Sequence, residues 1–165
     1  MRIFALFAAV ALTGTLVLSC GFYSFSGSLA PHLKTVAIPL FDNRTAEFNI
    51  AEDMTDAVIA AFNRDNSLKL AERGNADLLI EGNIVQIDDR AGAFDQSETV
   101  EDMKVYVTVQ LKCTDQSRRE VMWQERLTHF GAYDPAQGPE GRREGMMEAI
   151  DKLSQDVLNK TVANW

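Results

Sequence analysis

The side chains best suited to covalent or metal chemistry in this sequence of 165 residues are Cys20, Cys113, His32 and His129. Nucleophilic catalysis needs a nucleophile and a base held side by side, and neither histidine has such a partner nearby in the sequence. Cys113 falls on the apolar side of an alternating pattern, where a thiolate is disfavoured. The sequence also lacks a phosphate-binding glycine loop and the H-x-x-x-H, C-x-x-C and EF-hand spacings of metal sites. We therefore predict no catalytic residue, no metal site and no cofactor.

The chemistry expected of Cys20 depends on its position in the sequence, directly after a hydrophobic N-terminal run. The cysteine follows one basic residue, Arg2, and an apolar run from Ile3 to Leu18. This arrangement is typical of a secretory signal peptide that is removed, and the run is too short for a membrane-spanning helix. Residues 17–20 (VLSC) resemble a bacterial lipobox, where the cysteine is diacylated on sulfur and becomes the new N-terminus. We predict a signal peptide at 1–19 and lipidation of Cys20; the alternative is an ordinary signal peptide with an incidental cysteine.

The charge balance limits the partners. The formal net charge is −8, and removal of Arg2 would make the mature chain one unit more negative. Nucleic-acid binding needs a basic stripe for phosphate contacts, and adhesion to anionic lipid needs a broad positive surface. We therefore predict no nucleic-acid partner. Membrane attachment would come from acyl chains on Cys20, since several chains together make a durable anchor.

One domain is expected. Residues 20–33 hold the lipidated cysteine and a Gly- and Ser-rich tether, and residues 34–165 are long enough for one core of two packed layers. The two cysteines do not form a disulfide framework, because one lies in the leader junction and the other in a strand-like run.

Period-2 alternation predicts the strands. The segments are 34–40, 76–87 and 104–113, and the last returns through a turn at 114–119 to form a hairpin with 120–130. Pro39 cannot donate to a strand ladder, so the first strand ends there or lies at an edge.

Two segments with apolar residues on one helical face predict helices, from about Asn49 to Asn63 and from about Glu140 to Val162. Between the elements, Gly82 indicates a bulge or a close contact, and Asp88–Gly92 has the composition of a turn. Residues 94–102 are expected to be a long polar loop or a frayed strand end.

This order, β-α-β-β-β-α with one apolar face, predicts an α+β fold. We expect a two-layer sandwich with a mostly antiparallel or mixed sheet of about four strands and two helices on one face. The first strand reaches the second through a helix, so these two can pair in parallel.

Two surfaces are candidates for binding. Arg118 and Arg119 at the hairpin tip could grip phosphates with two guanidinium groups; the alternative is a solubilising turn. The polar side of the 104–113 strand carries Tyr106 and Lys112 beside Thr108 and Gln110. Gln124 and Arg126 would join this side if they share its orientation, and such an uncovered face either is plain surface or docks a partner.

Three segments behind Cys20 form an unusual combination. They are residues 34–45 (KTVAIPLFDNRT), 51–57 (AEDMTDA) and 76–84 (ADLLIEGNI), and the cysteine itself is followed by GFYSFSG. The combination resembles the LptE family of lipopolysaccharide-assembly lipoproteins. The resemblance implies a two-helix, four-stranded α+β domain anchored to the periplasmic face of the outer membrane, and Gly21 fits outer-membrane sorting.

The same resemblance implies the partners. The chain would plug and help to assemble a β-barrel translocon, an LptD-like protein, and would contact lipopolysaccharide through basic residues. Arg118, Arg119, Tyr106 and Lys112 are the candidate contacts with lipopolysaccharide or the partner. A strand ending in this way before a helix also occurs in lipoproteins that bind and activate a peptidoglycan synthase or assemble a secretion channel. A lipid-anchored periplasmic enzyme is the third alternative.

Overall fold

The structure, a computed structural model, describes residues 29–94 and 100–163. The predicted signal peptide, Cys20 and the tether as far as residue 28 lie outside this part of the chain, as do residues 95–99 of the predicted loop. The strands are β1 (Thr35–Ala37), β2 (Asp42–Asn43), β3 (Lys69–Leu70), β4 (Leu78–Phe94), β5 (Val100–Asp115) and β6 (Glu120–Tyr133); the helices are α1 (Ile50–Asp65) and α2 (Gly138–Val162), with a 3-10 turn at Pro135–Gln137.

The described strands form one mixed sheet in the order β3-β1-β4-β5-β6, with β2 beside β4. β1 pairs in parallel with β3 and β4, as the helical crossover predicts, and β4, β5 and β6 form an antiparallel meander. The α+β class and the mixed sheet are confirmed, but the predicted strand count of about four is too low, since the described residues form six. The two additional strands have two residues each, too short to show any alternation in the sequence.

β4 differs most from its prediction. Its register with β5 passes from Ile84 opposite Val109 to Gln86 opposite Thr108, so Val85 is a bulge that reverses which side chains face the core. The predicted turn at Asp88–Gly92 is wrong, because this segment pairs with β5. Hydrogen bonds to β5 satisfy the backbone of this segment despite its turn-like composition. In the segment 94–102, expected to be a long polar loop or a frayed strand end, Phe94 and residues 100–102 belong to strands, and residues 95–99 lie outside the described part of the chain.

The core lies between one side of the sheet and both helices. The predicted helices are confirmed, with the second beginning two residues earlier than expected, at Gly138. Both helices contribute buried residues to the same cluster as the odd-numbered residues of β5. Its fully buried members include Met54, Val58, Phe62, Met146, Ile150, Leu153, Val105, Val107, Val109 and Cys113.

Two glycines fix close approaches in this core. A Cβ atom on Gly131 would lie 1.8 Å from the carbonyl oxygen of Gly145, so α2 crosses β6 at a point that leaves no room for a side chain. A Cβ on Gly82 would lie 2.6 Å from the Phe41 ring. Gly82 is therefore the close contact that the sequence predicts, while the bulge lies at Val85.

Candidate partner-binding surface

The reactive side chains of the described residues are buried or paired. Burial raises the pKa of the Cys113 thiol to about 12, and the nearby Asp115 carboxylate adds to the effect. His129 Nε2 lies 2.7 Å from Asp156 Oδ2, and His32 Nε2 lies 2.8 Å from Asp115 Oδ2. Both histidine rings therefore bond to aspartates rather than to the Cys113 thiol.

Residues 29–94 and 100–163 contain no group of three or more His, Cys, Asp or Glu side chains that could hold a metal ion. In the same part of the chain, no helix is both long enough and apolar enough to cross a membrane.

The side of the sheet away from the helices is polar and open. Lys112 lies opposite Gln124, and Gln110 lies opposite Arg126, which confirms that Gln124 and Arg126 share the side of the even-numbered β5 residues. In the centre, the Thr108 and Thr128 hydroxyls are 2.9 Å apart. We call this surface the open face; its side chains on the three long strands include Glu81, Asn83, Gln86, Asp88, Arg90, Lys104, Tyr106, Thr108, Gln110, Lys112, Gln124, Arg126, Thr128 and Phe130.

One end of the open face holds a polar depression of about 350 Å³. The oxygen of the Asn83 amide is buried there without a hydrogen-bond partner among the described residues, so it can accept a bond from a partner's N–H or O–H. Lys112 and Glu81 bring opposite charges to the depression, and Leu40, 61 % exposed, stands at its edge. The remaining lining residues are Pro39, Asp42, Arg73, Gly82, Gln110, Leu111 and Gln124.

The other end holds two aromatic rings surrounded by cations. The Tyr106 and Phe130 rings have centroids 5.3 Å apart. Arg90 Cζ lies 4.5 Å from the Tyr106 centroid, and the Nζ atoms of Lys104 and Lys152 lie 4.9 and 5.0 Å from the Phe130 centroid. We call these five residues the cation–aromatic cluster. Arg90 also pairs with Asp88 and Lys152 with Glu148, so Lys104 is the one cation of the cluster without an ion pair among the described residues. The cluster thus combines the apolar area of two rings with cations that can turn to a ligand.

The hairpin tip has the position that the sequence predicts. Residues 116–119 form the turn between β5 and β6, and both arginines are exposed. The backbone N–H of Arg118 donates to Asp115 Oδ1 at 3.0 Å, and its Nε atom lies 3.9 Å from Asp115 Oδ2. Arg119 has a positive φ of 56° and no ion pair among the described residues, so its guanidinium group is available to a ligand.

The lipopolysaccharide-assembly family LptE matches residues 33–161 of this sequence. The chain belongs to the LptE family. No curated protein sequence matches the chain.

Solved structures show where else this LptE-family fold occurs. A hypothetical protein from Chlamydia trachomatis has a TM-score of 0.59 at 12% identity, covering 78% of this chain and 95% of that one. PelC from Paraburkholderia phytofirmans, solved as a dodecamer, has a TM-score of 0.58 at 17% identity over 82% of this chain and 92% of that one. A minor lipoprotein from Acinetobacter baumannii has a TM-score of 0.52 at 15% identity over 79% and 92%. At such identities the likeness shows the fold alone.

In this LptE-family chain the four predicted contact residues fall on two surfaces. Tyr106 and Lys112 lie on the open face, but they are six positions apart along the strand, about 20 Å. Arg118 and Arg119 lie beyond the Lys112 end, at the tip. Tyr106 is the one member of the cation–aromatic cluster among the predicted contacts. The predicted turn at Asp88–Gly92 contains Arg90, so the sequence does not place Arg90 beside Tyr106. The spacing of Lys104 and Tyr106, two apart on a strand, is the signal that could have found the cluster.

Proposed function

We propose that this chain is an outer-membrane lipoprotein that associates with a β-barrel translocon, an LptD-like protein, and supports lipopolysaccharide assembly at the cell surface. Acyl chains on Cys20 hold it at the periplasmic face of the membrane. The observation that carries the proposal is the open face itself, a three-stranded polar surface backed by two helices in a chain of the LptE family.

The chemistry of the open face suits a barrel. The interior of an outer-membrane barrel is polar, so its side chains can hydrogen-bond to a polar sheet face and leave few buried polar groups without a partner. Arginine and tyrosine are enriched where interfaces gain most of their energy, and Arg90, Arg126 and Tyr106 lie on this face. Because both helices cover its back, the face needs little ordering on binding.

Lipopolysaccharide is the second proposed ligand. Its phosphates suit cations, and its lipid part suits apolar area, which the cation–aromatic cluster offers together. Tyr106 and Lys112 on the open face are the proposed contacts with lipopolysaccharide or the barrel, and Arg118 and Arg119 at the tip are a separate pair suited to phosphate. The role is non-enzymatic: the chain acts through shape, charge and location.

Affinity capture tests the proposal. The full-length chain is expressed with a C-terminal tag in its own outer membrane, solubilised in mild detergent and captured. We expect one large β-barrel of the LptD type to co-purify, and mass spectrometry of the captured chain to find acyl groups on Cys20. The matched control, Cys20→Ala, should carry no acyl mass and leave the membrane fraction.

The alternatives predict other partners. Capture of a peptidoglycan synthase would favour the activator hypothesis, and capture of a homo-oligomeric ring would favour a secretion-channel component. A fold alone does not decide between such roles, so the identity of the captured partner decides. Recovery of neither a barrel nor these partners, from membranes in which the chain is acylated, would contradict the proposed association.

A further inference from the structure

The N-terminal segment is bound to one corner of the domain. Leu29 packs against the hydrophobic core, and Leu33 is buried at 4 % exposure. Between them, His32 contacts the Asp115 carboxylate at the base of the hairpin. Residue 29 therefore lies beside the β5–β6 hairpin tip, at the opposite end of the strands from the Phe94–Val100 pair.

Hydrogen bonds join three segments at this corner. Asp77 Oδ2 accepts from the backbone N–H groups of Lys34 at 2.9 Å and Thr35 at 3.0 Å. The Gln116 backbone N–H donates to the Asp77 carbonyl at 2.8 Å, and its side-chain amide donates to the carbonyl of Arg73 at 2.9 Å. We call residues 29–35, 71–77 and 115–119 the tether corner, a unit held by contacts between all three segments.

Cations dominate the exposed surface of the tether corner and the adjacent strand β3. Its two aspartates, Asp77 and Asp115, accept hydrogen bonds from within the corner. Glu72 is exposed there, Glu120 is exposed next to it at the start of β6, and Arg73 pairs with Glu81. The exposed cations are Lys34, Lys69, Arg73, Arg118 and Arg119.

The tether is short. Cys20 precedes Leu29 by nine residues, which span at most about 30 Å when fully extended. β6 alone, with 14 residues, is about 46 Å long. An anchor at Cys20 therefore keeps the tether corner near the bilayer, whereas the other end of the strands can lie well away from it.

We propose that the tether corner faces the leaflet that holds the acyl chains of Cys20, and that Arg118 and Arg119 bind the phosphates of its anionic phospholipid headgroups. This inference rests on the proposed lipid anchor and assigns the tip arginines to the membrane surface. Phospholipid and lipopolysaccharide both carry phosphate groups, so either could bind the tip arginines. The position of the corner beside the anchor favours the phospholipid of the same leaflet.

The net negative charge of the chain is compatible with this contact. At physiological ionic strength, charges more than about 8 Å apart in solvent are largely screened, so carboxylates at the far end of the domain hardly affect the tip. Each basic residue close to an anionic bilayer raises the occupancy of the surface by about fivefold. The anchor supplies the attachment, and the tip sets the orientation.

Headgroup quenching tests the orientation. The acylated full-length chain is purified from membranes and labelled with a fluorophore at Val121→Cys, next to the tip, or at Ala136→Cys, about 40 Å further along and beyond the end of β6. Each protein is placed in vesicles of phosphatidylcholine and phosphatidylglycerol that carry a headgroup nitroxide. We expect strong quenching at position 121 and weak quenching at position 136. Equal quenching, or stronger quenching at 136, would overturn the orientation.

Charge variants test the phosphate contact. In the Val121→Cys protein, Arg118→Gln with Arg119→Gln should lower tip occupancy by up to about 25-fold, because two cations are lost. The control, Arg44→Gln with Arg143→Gln, removes the same charge elsewhere and should leave quenching unchanged. In pure phosphatidylcholine vesicles, which carry no anionic headgroups, the Val121→Cys protein with its arginines intact should be quenched as weakly as the tip variant. Quenching that survives the tip substitutions would overturn the arginine contact.

The source of the phosphate and the anchor are tested separately. Quenching that needs lipopolysaccharide in the vesicles, and is absent with phosphatidylglycerol, would overturn the assignment to phospholipid. Mass spectrometry that finds no acyl group on Cys20 would overturn the anchor, and this orientation with it. Acylation without preferential quenching at position 121 would overturn this inference alone.

Discussion

His32 Nε2 lies 2.8 Å from Asp115 Oδ2, so a residue of the predicted tether is bonded to the last residue of β5. The Asp115 side chain is almost fully buried, at 1% exposure, and also accepts hydrogen bonds from the Ser117 hydroxyl and the Arg118 backbone N–H. One carboxylate thus connects the exit of the tether with the turn that carries the tip arginines. The proposed orientation of the tip relative to the Cys20 anchor depends on this contact.

Replacement of Asp115 should make stability less sensitive to acid. Burial raises the pKa of Asp115, but hydrogen bonds from His32, Ser117 and Arg118 lower it by a larger amount. The pKa of Asp115 therefore lies well below its ordinary value. The unfolded chain therefore binds this proton more readily. The stability that the carboxylate contributes is complete above its unfolded pKa of about 3.9 and is lost as pH falls towards its folded pKa.

Asp115→Asn should accordingly lower the free energy of unfolding at pH 7 by about 2 kcal/mol, since buried donors lose their charged acceptor. Urea unfolding between pH 7 and pH 2 measures the difference from wild type, which should shrink below about pH 4. Asp56→Asn, at an exposed position, is the control and should change little. A difference that stays constant down to pH 2 would contradict the ionised network.

Gly131 should not tolerate a methyl group. Its Cβ would lie 1.8 Å from the Gly145 carbonyl oxygen, so α2 would have to move away from β6. Gly131→Ala should lower the free energy of unfolding by about 3 kcal/mol, as measured by thermal or urea unfolding. Gly74→Ala is the matched control, because nothing lies within 4 Å of its Cβ. Equal stability of the two variants would rule out this helix–strand contact.

The Cys113 thiol should be unreactive in the folded protein. Burial raises its pKa to about 12, and only the thiolate is nucleophilic. In a Cys20→Ala chain, which keeps Cys113 as its one cysteine, iodoacetamide at pH 8 should add no mass before unfolding and one adduct in urea. Rapid alkylation of the folded chain would place Cys113 outside the core.

Much of the fold could be predicted from local patterns. In the two helices, and in the long strand with Val105, Val107, Val109 and Leu111, apolar residues recur at a regular spacing. This spacing depends only on which side of the element is buried. β2 and β3 could not be predicted, because two-residue strands exist only through their pairing with β4 and β1.

Asp88 and Asp89 show why part of the site was missed. Their composition is typical of a turn, but β5 pairs with both, and the bulge at Val85 sends them to opposite sides of the sheet. Asp88 lies on the open face beside Arg90. Asp89 lies on the helix side, where Arg142 Nε donates to its two oxygens at 3.1 and 3.0 Å. A bulge depends on the partner strand, so the sequence alone does not fix this placement.

Site-specific photocrosslinking in cells tests most directly the proposal that the open face docks the barrel. A photoreactive residue at Gln110, exposed on the open face, should crosslink to the large LptD-type barrel. The same residue at Glu52, exposed on α1, should crosslink much less. Crosslinking to the barrel from Glu52 and none from Gln110 would contradict the account.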